Sequence, residues 1–130
     1  MSTISVRDLR VLICEDEYLL AMDMAQQFES LHAEVVGIIG KLADFDPLLR
    51  GEFTANAVVL DWQFVDGKAH EVIAALEQRN VAVVVCSGYG TEERPAEFSH
   101  IPWVTKPANA DELAAALCAV LEARSTTTSV

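Results

Sequence analysis

Val81-Ala82-Val83-Val84-Val85-Cys86 is an unbroken apolar run, closed by Ser87-Gly88-Tyr89-Gly90. Its length suits a strand, and an element apolar at every position must be covered on both faces. Such a strand belongs in the middle of a parallel sheet with helices on each side. Working back toward the N-terminus, Val72, Ile73 and Leu76 mark a helix, preceded by the turn signal Asp66-Gly67. Ala57 to Leu60 is an apolar strand with Asp61 at its end. Leu42 to Leu49 is a short helical stretch closed by Gly51, and Glu34 to Ile39 is a strand ending at Gly40. Leu20, Met24, Phe28 and Leu31 recur at helical spacing and predict the inward face of the first helix. Leu9 to Cys14 is the first strand, broken by Glu15, Asp16 and Glu17.

Toward the C-terminus, Ile101 to Thr105 reads as a fifth strand. Leu113, Leu117, Val120 and Leu121 mark the last helix, with Asn109 and Glu112 spaced as a capping box. Between the fourth and fifth strands, Thr91 to His100 holds Pro95 and has no long apolar stripe. The helix expected there is short or absent. Strand and helix otherwise alternate, which predicts an open, doubly wound parallel α/β sheet with helices on both faces. Residues 1–8 read as an N-terminal extension, 9–124 as one domain and 125–130 as a flexible polar tail.

The chain of 130 residues is long enough to bury roughly two thirds of its unfolded surface without a disulfide or structural metal. Hydrophobic residues make up 52% against 22% charged, which excludes an intrinsically disordered chain. Nine Lys and Arg against 20 Asp and Glu give a net charge of −11, which argues against binding nucleic acid or anionic lipid. Cys14, Cys86 and Cys118 are odd in number and widely spaced, so no disulfide framework or zinc spacing can be drawn. The first and second of these read as reduced core thiols. No stretch reaches the ~18 apolar residues needed to span a bilayer. Met1 to Arg10 has no apolar signal-peptide core, so a cytoplasmic location is expected.

In a doubly wound sheet, ligands bind beyond the carboxyl ends of the strands. Reading those ends collects Glu15 and Asp16, then Asp61, Ser87 and Lys106. These five residues are expected to converge. Three packed carboxylates repel one another, and a hard divalent cation such as Mg²⁺ relieves the repulsion. The charges of three acids, one Mg²⁺ and Lys106 sum to zero. Asp61 is the best placed nucleophile for a phosphoryl group, and the added charge would be stabilised by the cation and Lys106. An acidic helix start is the plainer reading of Glu15, Asp16 and Glu17 taken alone. Ser87 could be a turn former and Lys106 a surface lysine. His32, His70 and His100 are scattered and none pairs with a candidate nucleophile.

The ordered set Val11-Leu-Ile-Cys-Glu-Asp-Glu17, Val58-Val-Leu-Asp61, Asp66-Gly67, Ser87-Gly-Tyr89 and Thr105-Lys-Pro107 resembles the receiver domain of bacterial two-component response regulators, the CheY-like family. The resemblance runs from the first strand to the last helix. It implies a flavodoxin-like (βα)5 fold with strand order 2-1-3-4-5. It implies that Asp61 is the phospho-acceptor, and that Glu15, Asp16, Asp61 and the backbone carbonyl of Gln63 hold Mg²⁺. Ser87 would bond the phosphoryl oxygen, Lys106 would pair with it, and Ser87 and Trp103 would form the switch. The implied partners are a histidine kinase or histidine phosphotransfer protein and a downstream protein. The implied state is a monomer or a phosphorylation-dependent dimer. On this reading the chain is a stand-alone signalling domain and not an enzyme, apart from its own phosphorylation and autodephosphorylation chemistry. The alternative is a phosphorylation-independent pseudo-receiver.

The chain departs from the family pattern at several positions. Glu15 stands where Asp is commoner, and Val65 where a proline often precedes the Asp-Gly turn. Trp103 replaces the usual Tyr or Phe, and its larger indole needs more room to rotate inward. Ala108 follows Lys106-Pro107 where Phe is frequent. The shortened fourth segment resembles an alphaproteobacterial subgroup marked by Phe-Ala-Thr-Gly-Tyr, of which only Ser87-Gly88-Tyr89 keeps the last part here. Other chemistries on this sheet lack their motifs. Asp61-Trp62-Gln63 has no second acid for a haloacid-dehalogenase-like phosphatase, and Val85 occupies the first glycine of a hydrolase elbow. A flavodoxin would carry a hydroxyl-rich loop where this chain has acids.

Overall fold

The computed structural model describes residues 3–51, 53–64 and 69–128. Its strands are β1 (Arg10–Cys14), β2 (Glu34–Ile39), β3 (Ala57–Asp61), β4 (Ala82–Ser87) and β5 (Trp103–Thr105). They form one parallel sheet in the order β2-β1-β3-β4-β5, as expected. The helices are α1 (Tyr18–Ser30), α2 (Phe45–Arg50), α3 (Ala69–Gln78) and α4 (Ala110–Thr128). The Asp66-Gly67 turn and Val65 lie outside the described residues.

Between β4 and β5 the expected helix is replaced by two 3-10 turns, Gly90–Glu93 and Ala96–Phe98. Pro95 sits between them with the extended backbone of a residue that cannot continue a helix (ψ 149°). Helix α4 continues to Thr128, four residues into the stretch read from sequence as a tail. At the other end, Val6–Asp8 forms a 3-10 turn, and Val6 packs against the core.

Strand pleating sorts the core into two layers. Leu12, Cys14, Val58, Leu60, Val83 and Val85 face α2, α3 and the 3-10 segment, where Phe45, Ile73, Leu76 and Phe98 meet them. Val11, Ile13, Ala57, Val59, Ala82, Val84 and Cys86 face α1 and α4, against Phe28, Leu113 and Leu117. Every residue of β3 and β4 is buried, as the two-sided apolar run requires.

The inward stripe of α1 differs from the sequence expectation. Its buried residues are Ala21, Ala25 and Phe28, while Leu20 is 51% exposed and Met24 only partly buried. The two alanines let the helix lie close to the sheet. The stripe traced through the larger side chains holds at Phe28 and, by partial burial, at Met24 and Leu31, and fails at Leu20, where the neighbouring Ala21 is the buried residue. Helix α4 is seated by side-chain caps. Asn109 Oδ1 accepts the Glu112 N–H at 2.9 Å, and Gln27 Oε1, from α1, accepts the Ala110 N–H at 3.0 Å.

Candidate functional site

Asp61 is the last residue of β3 and pairs with Cys86 of β4. It continues the Ala57 and Val59 side of the pleat. Its residue is only 4% exposed, so its charge needs partners. Lys106 Nζ donates to Asp61 Oδ2 at 2.8 Å, and the Gln63 N–H donates to Oδ1 at 3.0 Å. The lysine is held in turn by its own N–H, which donates to the Ser87 carbonyl at 2.8 Å. Glu15 leaves β1 with its N–H on the Ile39 carbonyl at 3.0 Å, and its Oε1 accepts the Glu17 N–H at 3.1 Å. One carboxylate oxygen from each of Glu15, Asp16 and Asp61 lies within 4.8 Å of the others.

The electrostatics follow from this crowding. Burial, with the hydrogen bond and charge of Asp61 added to it, pushes the Glu15 carboxyl up to about 8. The Glu17 N–H works the other way, without reversing the sum. Burial alone would lower the Lys106 pKa, but the hydrogen bond and charge of Asp61, joined by the charge of Glu15, raise it. The lysine therefore stays an ammonium. Three carboxyl groups crowded against one ammonium, one of them holding its proton for want of a counter-charge, form a hard-oxygen donor set whose repulsion a divalent cation would relieve, the set suited to Mg²⁺. By that measure the residues present fit the cation.

Beside the acids lies a cavity of about 540 Å³ between α1, the carboxyl edge of the sheet and the Lys106–Ala108 loop that leads into α4. Leu20, Met24 and Ala108 line it together with Asp61 and Lys106. Tyr18 and Leu19, at the start of α1, are 66% and 82% exposed. Trp62, the residue after Asp61, is partly buried and meets Trp103 edge-on, with ring centroids 4.8 Å apart. Trp103 is buried, and its Nε1 has no hydrogen-bond partner among the described residues.

Of the five strand-end residues, Glu15, Asp16, Asp61 and Lys106 come together. Ser87 bonds to other groups through its hydroxyl. It is fully buried, its Oγ accepts the Tyr89 N–H at 3.1 Å, and its hydroxyl donates to Glu93. Glu93 was not legible in the sequence, because the segment carrying it has no periodicity to set its direction. Gln27 was equally hidden, since its role comes from a contact with Ala110 83 residues away. His70 and His100 lie at the surface beside Glu97 and Glu77, with exposed His32, and none approaches Asp61 through a described contact. All three cysteines are free thiols. Among the described residues, no helix is long and apolar enough to cross a membrane.

No family model matches the chain, and no curated protein matches it. Solved structures do. The response regulator PhyR from Brucella abortus is 30% identical, with a TM-score of 0.70 over 97% of this chain. The chain spans about half of that protein's length, 51%. SdrG from Sphingomonas melonis Fr1 is 28% identical, with a TM-score of 0.67 over 93% of this chain and 99% of that one. A CheY-like receiver domain protein from Methanospirillum hungatei JF-1, 20% identical, shares the fold with a TM-score of 0.70, covering 92% of this chain and 98% of that one. The PhyR likeness fits the alphaproteobacterial subgroup named above. With the strand order and the acids gathered on its carboxyl edge, the likenesses lead to one conclusion: the chain belongs to the CheY-like receiver domains of response regulators.

Proposed function

We propose that the chain is a phosphorylation-controlled switch. A carboxylate oxygen of Asp61 attacks the phosphorus of a phosphohistidine on a kinase or phosphotransfer protein. The new O–P bond forms as the N–P bond breaks, and the imidazole leaves with the electron pair and takes up a proton. Water later hydrolyses the acyl phosphate, releasing inorganic phosphate and restoring the carboxylate. Lys106, already on Asp61 Oδ2, is placed to pair with the added negative charge. Glu15, Asp16 and Asp61, with the Gln63 carbonyl, would hold Mg²⁺. When bound, the cation supplies charge neutralisation for the incoming phosphoryl oxygens. The exposed Tyr18 and Leu19 beside the acids offer a protein partner an apolar foothold.

The observation that carries this reading is a buried Asp61 held by Lys106 at 2.8 Å, with two further carboxylates within 4.8 Å. The test is incubation with Mg²⁺ and acetyl phosphate or a cognate kinase, followed by intact mass. One phosphoryl adduct is expected, absent in Asp61→Asn. A second reading, the phosphorylation-independent interaction module, is favoured by the engagement of Ser87 with Glu93. No adduct from either donor would select it.

A further inference from the structure

The 3-10 turn Gly90–Glu93 is fastened at both ends. At its start, Gly90 has φ +60°, and a Cβ there would collide with Thr105 Oγ1. The turn therefore rests directly on the end of β5, where Thr105 pairs with Ser87 and precedes Lys106. At its end, the Glu93 carboxylate accepts the Ser87 hydroxyl. Just beyond, Arg94 Nη1 donates to the Ile101 carbonyl at 3.0 Å and ties the following stretch to the approach to β5. Of these fastenings, the Ser87–Glu93 bond is the one that consumes a site side chain.

A serine hydroxyl carries one proton. It cannot donate to Glu93 and to a phosphoryl oxygen on Asp61 at once. Pleat parity adds to the competition: Ser87 continues the Val83 and Val85 side of β4, toward the 3-10 segment, while Asp61 lies on the opposite side of the pleat. We infer that Glu93 is a positioning residue, a latch that holds the Ser87 proton and fastens the 90–93 turn until a phosphoryl group on Asp61 draws that proton away. The inference rests on the phosphorylation reading above. Once the hydroxyl turns to the phosphoryl group, the partly buried Glu93 carboxylate loses its donor and gains an anionic neighbour. Both changes drive it toward water, and the turn opens at that end.

The experiment uses the full chain and the variants Glu93→Ala, Glu93→Gln, Ser87→Ala and the Ser87→Ala/Glu93→Ala pair. Amide hydrogen exchange at residues 90–94 is read with and without Mg²⁺ and acetyl phosphate, alongside phosphoryl uptake by intact mass. Without phosphodonor, Glu93→Ala should exchange about tenfold faster than the parent over these amides, the loss of one charge-assisted hydrogen bond. Glu93→Gln keeps an acceptor oxygen and should remain near the parent. The phosphorylated parent should match Glu93→Ala, and uptake by Glu93→Ala should rise by up to about tenfold. In the Ser87→Ala background, Glu93→Ala should add nothing. Unchanged exchange in Glu93→Ala, or an effect that persists in full without the Ser87 hydroxyl, overturns the latch while leaving the phosphorylation reading intact. A parent that takes up no phosphoryl group overturns the phosphorylation reading, whatever the exchange shows.

Discussion

One side of the sheet is covered by two long helices, α1 of 13 residues and α4 of 19, cross-tied where Gln27 caps Ala110. The other side is covered by α2 of six residues, α3 of ten and the two 3-10 turns that replace a helix. Pleating assigns the two adjacent strand ends to different sides. Asp61 continues the residues that meet the long helices, and Ser87 continues those that meet the short segments. The Asp61 carboxylate thus sits over the firmer half, where Lys106 holds it. The hydroxyl sits against the half with fewer regular backbone hydrogen bonds, where local rearrangement costs less. The sheet itself thus keeps the two side chains on different halves of the molecule.

The comparison can be broken most directly by removing one large side chain from each side. Phe28, on the inward face of α1, is fully buried, and Phe28→Ala should cost about 3–5 kcal/mol, read by urea denaturation. Phe98, in the second 3-10 turn, is 6% exposed, and Phe98→Ala should cost less because that segment can settle into the gap. Equal losses would remove the distinction. A smaller effect is expected at the fastening of the softer side. Gly90→Ala meets both a positive φ and Thr105 Oγ1, and should lose about 1–3 kcal/mol. Thr105→Ala should recover the steric part only. Full recovery would show that the backbone angle carries no strain.

The smallest effect concerns the firmer side and its acids. Glu15 titrates at about 8 in the folded chain against an ordinary value of 4.5. Between those values the folded state holds the proton that the unfolded state has lost. Its contribution to stability is therefore complete below pH 4.5, declines as pH rises toward 8, and is flat above. The partial exposure of Glu15 keeps the slope shallow. Metal-free denaturation curves across this window should show the decline, and Glu15→Gln should lack it. A variant with the parent's slope would place the proton elsewhere.

Periodicity made most of the scaffold legible. The Glu34–Ile39 strand was read with its observed bounds, and the Val81–Cys86 run lies one residue from β4. Asp61 was placed at the end of its strand, and the weak fourth segment was recognised from Pro95 and its lack of an apolar stripe. Val72, Ile73 and Leu76 are all buried, as their spacing requires. The face of α1 was read correctly at Phe28 and misplaced at Leu20, because apolar size, and not closeness of packing, drew the start of the stripe. The strand order came from family resemblance, since alternation alone does not order five parallel strands.

The amino-acid order determined by itself which segments are strands, that the sheet is covered on two sides, and which acids, hydroxyl and lysine stand at the strand ends. Those properties are local, written in runs and spacings of a few residues. Only the tertiary structure decided that Glu15 presses on Asp61, that Gln27 caps a helix 83 residues away, and that the Ser87 hydroxyl belongs to Glu93. Each of these depends on the direction of a side chain across a gap between elements, which is set by packing on both sides of the gap.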